Sequence, residues 1–239
     1  MRVIRAPEAR VRESFLVRSH TNAGALSKPM RSPLIRRDYF TLVINSLQSL
    51  SKSSKKDGLA YLVVTSKPES AIRDRLAFRL QQSLGIQRTV ARELSSEGGG
   101  TRVDIAILNE QDSEEVVIQL KVRTAATLQV PKKLRKEARK DLKKCKKHQA
   151  GRCLYLLLAP LIETPWDEAI PALDKAIVFA LRKPMQDKEV DVLKENAKKN
   201  IKEAFPSKAW KVKGGRIRAG KAYGASVSVL YWLCEKRNA

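Results

Sequence analysis

TRVDIAILNEQDSEEVVIQLKV, residues 101–122, reads as two strands joined by a polar turn. Side chains alternate along a strand, so Val103, Ile105 and Ile107 point one way while Asp104, Ala106 and Leu108 point the other. On the second strand Ile118, Leu120 and Val122 share one face, and Val117, Gln119 and Lys121 share the opposite one. The segment Asn109–Glu114 has turn composition, which makes an antiparallel hairpin the natural fold. Symmetric closure about Gln111 and Asp112 sets Asp104 opposite Gln119. A carboxylate, an amide oxygen and a lysine then cluster on otherwise apolar strands, a costly arrangement without a partner such as a metal ion.

Upstream, Ser66-Lys67-Pro68-Glu69 is a helix start: Ser66 can cap, Pro68 lies in the first turn, and Glu69 falls three residues on, as in a capping box. The helix runs to about Leu84 and stops at Gly85. Ile72, Leu76, Leu80 and Leu84 form its core stripe, with Phe78 beside it. GIQRTVAREL (Gly85–Leu94) reads as a strand, and SSEGGG (Ser95–Gly100) as a mobile turn into the hairpin. Downstream, PKKLRKEARKDLKKCKKHQ (Pro131–Gln149) carries ten Lys or Arg against Glu137 and Asp141. Leu134, Ala138, Leu142 and Cys145 mark its buried stripe. That leaves a cationic helix face for backbone phosphates, drawn from Lys132, Lys133, Arg135, Lys136, Arg139, Lys140, Lys143 and Lys144. A solvated charged face is the plainer alternative. RCLYLLLAP (Arg152–Pro160) is a fully buried strand. The order from Glu69 to Pro160 is helix, three strands, helix, strand.

In that order and in the hairpin's residues, the segment resembles the PD-(D/E)XK nuclease superfamily. In that superfamily an acidic residue on one strand and an acidic-x-Lys tripeptide on the next bind a divalent metal beside the scissile phosphate. The tripeptide here is Gln119-Leu120-Lys121, the Q-x-K form found in the modification-dependent, Mrr-like branch of restriction endonucleases. The resemblance implies an α/β, restriction-endonuclease-like fold: an αβββαβ core with a mixed sheet flanked by helices. It implies Mg2+- or Mn2+-dependent hydrolysis of DNA phosphodiester bonds. Asp104, the Gln119 side-chain oxygen and the Leu120 carbonyl would be ligands, and Lys121 would stabilise developing charge and orient the attacking water. The first helix of the family often adds an acid. Asp74, eleven residues before Gly85, stands where the Q-x-K branch places it, with Glu69 the second choice. From the residues alone, Asp74 is equally an ion pair with Arg73 or Arg75, and Glu69 a capping residue.

The formal charge of +23 favours a polyanion, most simply nucleic acid, with an anionic membrane or ribosomal RNA as competing readings. Aromatic residues are only 5% of the chain, which leans towards duplex backbone contacts over stacking on single strands. Double-stranded or branched DNA is therefore the expected partner. The alternative is a nucleic-acid-binding protein that keeps the fold without catalysis, on DNA or on RNA in a larger assembly. Many nucleases of this family act as homodimers, and the sequence shows no decisive interface.

No apolar run approaches the roughly 20 residues that span a bilayer. Cys145, Cys153 and Cys234 form no CxxC, and with only His20 and His148 a zinc site is poorly supported. A reducing compartment, cytoplasmic or nucleoid-associated, is the default. Residues 1–37 read as a basic, loosely ordered arm with eight arginines; an organellar transit peptide is the lesser reading, weakened by Glu8 and Glu13. Residues 38–160 hold the core with a preceding helix from Asp38 to about Ser51, carrying Phe40, Val43, Ile44, Leu47 and Leu50. LAYLVVTS (Leu59–Ser66) reads as a short buried strand, with a helix open for so short a run. Residues 161–239 read as an appendage: helices over Trp166–Leu181 and Asp187–Phe205, a hairpin WKVKGGRIR (Trp210–Arg218) turning at Gly214-Gly215, and a strand over Ser226–Cys234. Its alternating basic residues suit either a DNA groove or the protection of a sheet edge.

Overall fold

In this computed structural model the described residues are 38–53, 57–65, 68–96, 99–124, 128, 130–164 and 190–237. The central hairpin forms in the register its alternation dictates. β2 (Arg102–Leu108) and β3 (Glu114–Val122) pair antiparallel, with Ile105 opposite Ile118, Ala106 opposite Val117 and Ile107 opposite Val116. Asn109 organises the turn, its Oδ1 accepting from the N–H groups of Gln111 and Ser113 at 2.9 Å each. One residue was not foreseen. The register slips between Ile107 and Leu108, and the bulged Glu115 turns its carboxylate to Arg88 (2.9 Å) and to the Tyr39 hydroxyl.

Outward from the hairpin, β1 (Thr89–Ser95), β4 (Arg152–Ile162), β5 (Trp210–Ala222) and β6 (Ala225–Lys236) complete a six-stranded sheet ordered β1-β2-β3-β4-β6-β5. All neighbours are antiparallel except β3 and β4, which run parallel around the helix that joins them. α1 (Tyr39–Ser53), α2 (Gly58–Thr65) and α3 (Pro68–Leu84) cover one face, burying Phe40, Leu47, Val63 and Leu76 against Ile118, Leu156 and Tyr231. α4 (Pro131–Cys145) and α5 (Val190–Ala204) cover the other, packing Ala138 and Ile201 against Tyr155, Leu157 and Trp232. β4 is apolar on both sides because both of its faces are roofed. The molecule is thus α/β with a mixed sheet flanked by helices, and no described helix is long and apolar enough to cross a membrane.

Four expectations change. Gly58–Thr65 is a helix, not a strand: Leu59, Ala60, Val63 and Val64 are buried, the i, i+1, i+4, i+5 spacing of one helical face, while Tyr61 faces solvent. Gly85–Gln87 is a turn of 3-10 helix, so β1 starts only at Thr89. Phe78 lies on the outer face of α3 and is 60% exposed, off the core stripe. The C-terminal hairpin turns at Tyr223-Gly224, where φ is 51° and 81°, and not at Gly214-Gly215, which sit inside β5. The two glycines make room for cross-strand rings: a Cβ on Gly214 would meet Trp232 Cδ1 at 2.8 Å, and one on Gly215 would overlap Tyr231. β6 pairs with β4 from Leu154–Glu235 to Ile162–Val227, so the described part of 161–239 belongs to the same sheet and compact unit. The expected Ser66 cap, the arm 1–37 and the helix at 166–181 lie outside the described residues.

Gly220 fixes how α2 meets the sheet edge. Its φ is +108°, and a Cβ there would stand 2.7 Å from Asp57 Oδ1, the atom that accepts from the Lys221 N–H at 2.7 Å. Strain and collision add, so Gly220→Ala should destabilise the fold by about 2–4 kcal/mol. Urea denaturation checks this, and an unchanged midpoint would contradict it.

Candidate metal site and cationic helix

Between β2 and β3 the backbone ladder ends at Ile105–Ile118, and the side chain of Asp104 takes over. Its Oδ2 accepts the Leu120 N–H at 2.7 Å and a bond from Gln119 Nε2. Across the sheet, Glu69 from the first turn of α3 reaches the same strand end, its Oε2 accepting from the Val122 N–H at 3.3 Å. Burial pushes the Asp104 carboxyl above the usual carboxylate range and the nearby Glu69 charge adds to this, while the Leu120 N–H, Arg73 and Lys121 pull the other way. Gln119 is 8% exposed, and its Oε1 is buried without a hydrogen-bond partner.

That orphaned oxygen is the informative atom. A buried acceptor left unpaired costs about 1–3 kcal/mol, and the amide cannot turn to cure it without facing its oxygen towards the Asp104 carboxylate. The neighbouring acceptors are the carboxylates of Asp104, bonded to the same amide, and of Glu69, whose charge reaches Asp104; both are hard oxygens, which suit Mg2+ or Mn2+. Among the described residues no group of three or more His, Cys, Asp or Glu is placed to hold a metal. The donor set therefore fits only with the Gln119 amide oxygen included.

Asp74 stands elsewhere. Its Oδ1 is held by Arg73 Nε at 3.0 Å and by Arg92 at 3.2 Å, the ion-pair alternative, although Arg92 and not Arg75 is the second partner. Arg73 also grips Glu93 at 2.6 Å. Glu93 itself drops out of the β1–β2 ladder between Arg92–Ile105 and Leu94–Val103, with φ at 53°. Glu69, the second choice on α3, is the acid whose charge reaches Asp104. Its sequence signal was its place as the sole acid of the helix's first turn.

α4 is tied to this strand end. Arg123, two residues past Lys121, clasps Glu137 of α4 through Nε at 2.9 Å and Nη2 at 2.7 Å. Asp141 is buried and pairs with Lys144 at 3.2 Å. Both acids of the helix are thereby turned inward, and Asp141 takes the place in the buried stripe expected of Leu142, which is only half-buried. Lys132, Lys133, Lys136, Arg139, Lys140 and Lys143 are exposed, with no ion-pair partner among the described residues. Of the eight candidate phosphate contacts, the other two are engaged: Lys144 with Asp141, and Arg135 with the Glu203 carbonyl of α5 at 2.6 Å.

No protein-family model matches the chain, and no curated protein or solved structure matches it.

Proposed function

We propose that the protein is a Mg2+- or Mn2+-dependent endonuclease that hydrolyses DNA phosphodiester bonds, with a restriction-endonuclease-like core spanning α3 to β4. The buried, unpartnered Oε1 of Gln119 beside Asp104 carries this reading. Asp104, Glu69, the Gln119 amide oxygen and the Leu120 carbonyl would hold the metal. A bound divalent cation would polarise the scissile phosphoryl group and acidify a water. Lys121 shares the Gln119 face of β3, where its ammonium would offset charge gathering on the phosphoryl oxygens and orient the attacking water. The exposed cations of α4 would grip backbone phosphates without reading sequence. Double-stranded or branched DNA is the proposed partner, and a homodimer is compatible with it.

The test is cleavage of duplex, branched and single-stranded DNA with Mg2+ or Mn2+, wild type against Lys121→Ala. The variant should lose about a hundredfold to a thousandfold in kcat while DNA affinity in EDTA barely changes. Equal cleavage by the two proteins would remove Lys121 from the mechanism. The bond from Gln119 Nε2 to Asp104, which already occupies one carboxylate oxygen, favours a second reading. There the fold binds DNA, or RNA in a larger assembly, and cuts nothing. Tight, salt-sensitive binding with no cleavage of any substrate would select it.

A further inference from the structure

A groove of about 970 Å³ runs between α5 and the β5–β6 hairpin, on the same side of the sheet as α4. Its described lining includes Lys194, Lys198, Lys202, Lys211, Arg216 and Arg237, and no carboxylate. The floor is aromatic. Trp210 stands edge-on to Phe205 at 5.1 Å and is half-buried, while Trp232 packs buried against the Gly214 backbone. The chain has three tryptophans, and both described ones line this groove.

The counterions of these cations stand outside the lining. Glu163 meets Arg216 at 2.8 Å and Lys194 at 3.7 Å, Asp191 meets Lys194 at 3.1 Å, and Glu195 meets Lys198 at 2.6 Å; the Lys211 ammonium instead turns to the α1 face, over the Phe40 ring at 4.2 Å and 3.8 Å from Asp38. Such surface pairs are weak, so phosphates can compete for the same cations. Lys202 has no ion-pair partner among the described residues. A cationic rim over an aromatic floor suits a ligand with repeated negative charge on one side and flat rings on the other. A duplex hides its ring faces in the stack; an unpaired strand offers them.

We infer that this groove holds an unpaired single strand of nucleic acid, its phosphates along the α5 lysines and a base against Trp210. The inference rests on the reading of the chain as a protein that acts on nucleic acid. It narrows the substrate to one with a single-stranded segment beside a duplex, the duplex lying on α4 and the free strand in the groove.

The test uses the full chain in EDTA, so that binding is read whether or not the protein cuts. Oligo(dT) should quench tryptophan emission, and Trp210→Phe should lose most of that quenching. The double variant Lys198→Glu/Lys202→Glu should weaken oligo(dT) binding by about tenfold and duplex binding far less. Neutralising α4 at Lys136, Arg139 and Lys140 should do the reverse, sparing the quenching while weakening the duplex. Absent quenching, or an equal loss on both ligands in the α5 variant, would overturn the groove. Those outcomes are independent of the nuclease reading: a failed groove with intact Mg2+-dependent duplex cleavage leaves the metal site standing, and a working groove with no cleavage removes only the chemistry.

Discussion

Asp104→Asn should abolish divalent-metal-dependent cleavage and, in EDTA, yield a more stable protein than the wild type. The amide keeps an oxygen where Asp104 Oδ2 accepts from Leu120 and Gln119, so the local bonds survive. What disappears is a charge that the fold penalises. Burial raises the Asp104 pKa above its unfolded value, so the folded state favours the protonated acid. The stability this lends is complete below the ordinary carboxylate range and is lost as pH rises through the elevated pKa. The wild type should therefore lose, over that window, stability that the Asn variant retains. Metal reverses the order. At a hundredfold excess over Kd a ligand contributes about 2.7 kcal/mol, which for a chain of this size lifts Tm by about 5–10 °C. Thermal melts of both proteins with and without Mn2+ read all of this. A variant that melts lower in EDTA, or a wild type indifferent to metal, would dismiss the site.

Neutralising the outer face of α4 with Lys136→Gln, Arg139→Gln and Lys140→Gln should cut duplex affinity by about a hundredfold at moderate salt. The more specific signature is the slope of log K against log salt, which should fall by about 2.7 if each cation covers one phosphate. These side chains are exposed and unpaired among the described residues, so the fold should not suffer. An unchanged slope would reduce the helix to a solvated charged surface, and the nucleic acid would have to lie elsewhere.

The hairpin was legible because its two apolar faces admit one pairing and Asn109 marks the turn. The bulge at Glu115 was not, since its cause is tertiary: Arg88 and Tyr39 draw that carboxylate out of register. α2 reads as a strand with a helix left open because a short, near-continuous apolar run suits a fully buried strand as well as a helix, and only packing decides. The glycine pair in β5 imitates a turn. Two aromatic rings from β6 explain it, while the real turn asks Tyr223 to adopt a positive φ that its side chain does not advertise. Within the candidate site, the meeting of Asp104 with Gln119 followed from the hairpin's register, although alternation breaks there: Val103 packs with Ala106 and Val117 and not with Ile105 and Ile107. The choice between Glu69 and Asp74 could not follow from the register, because it turns on where the first turn of α3 lands relative to the end of β3.

The pairing of β6 between β4 and β5 also sets an order of assembly. β4 gains β3 as its neighbour early, whereas its other edge waits for residues 227–235. On a ribosome, a chain that has emerged only as far as α5 presents β4, apolar on both faces, with an open row of hydrogen-bonding groups. The interval between making β4 and making β6 is the time in which a nascent chain is exposed to pairing with the wrong strand. Slow translation through residues 190–225 would lengthen that exposure, and a chaperone that shields an open strand edge would shorten its consequences.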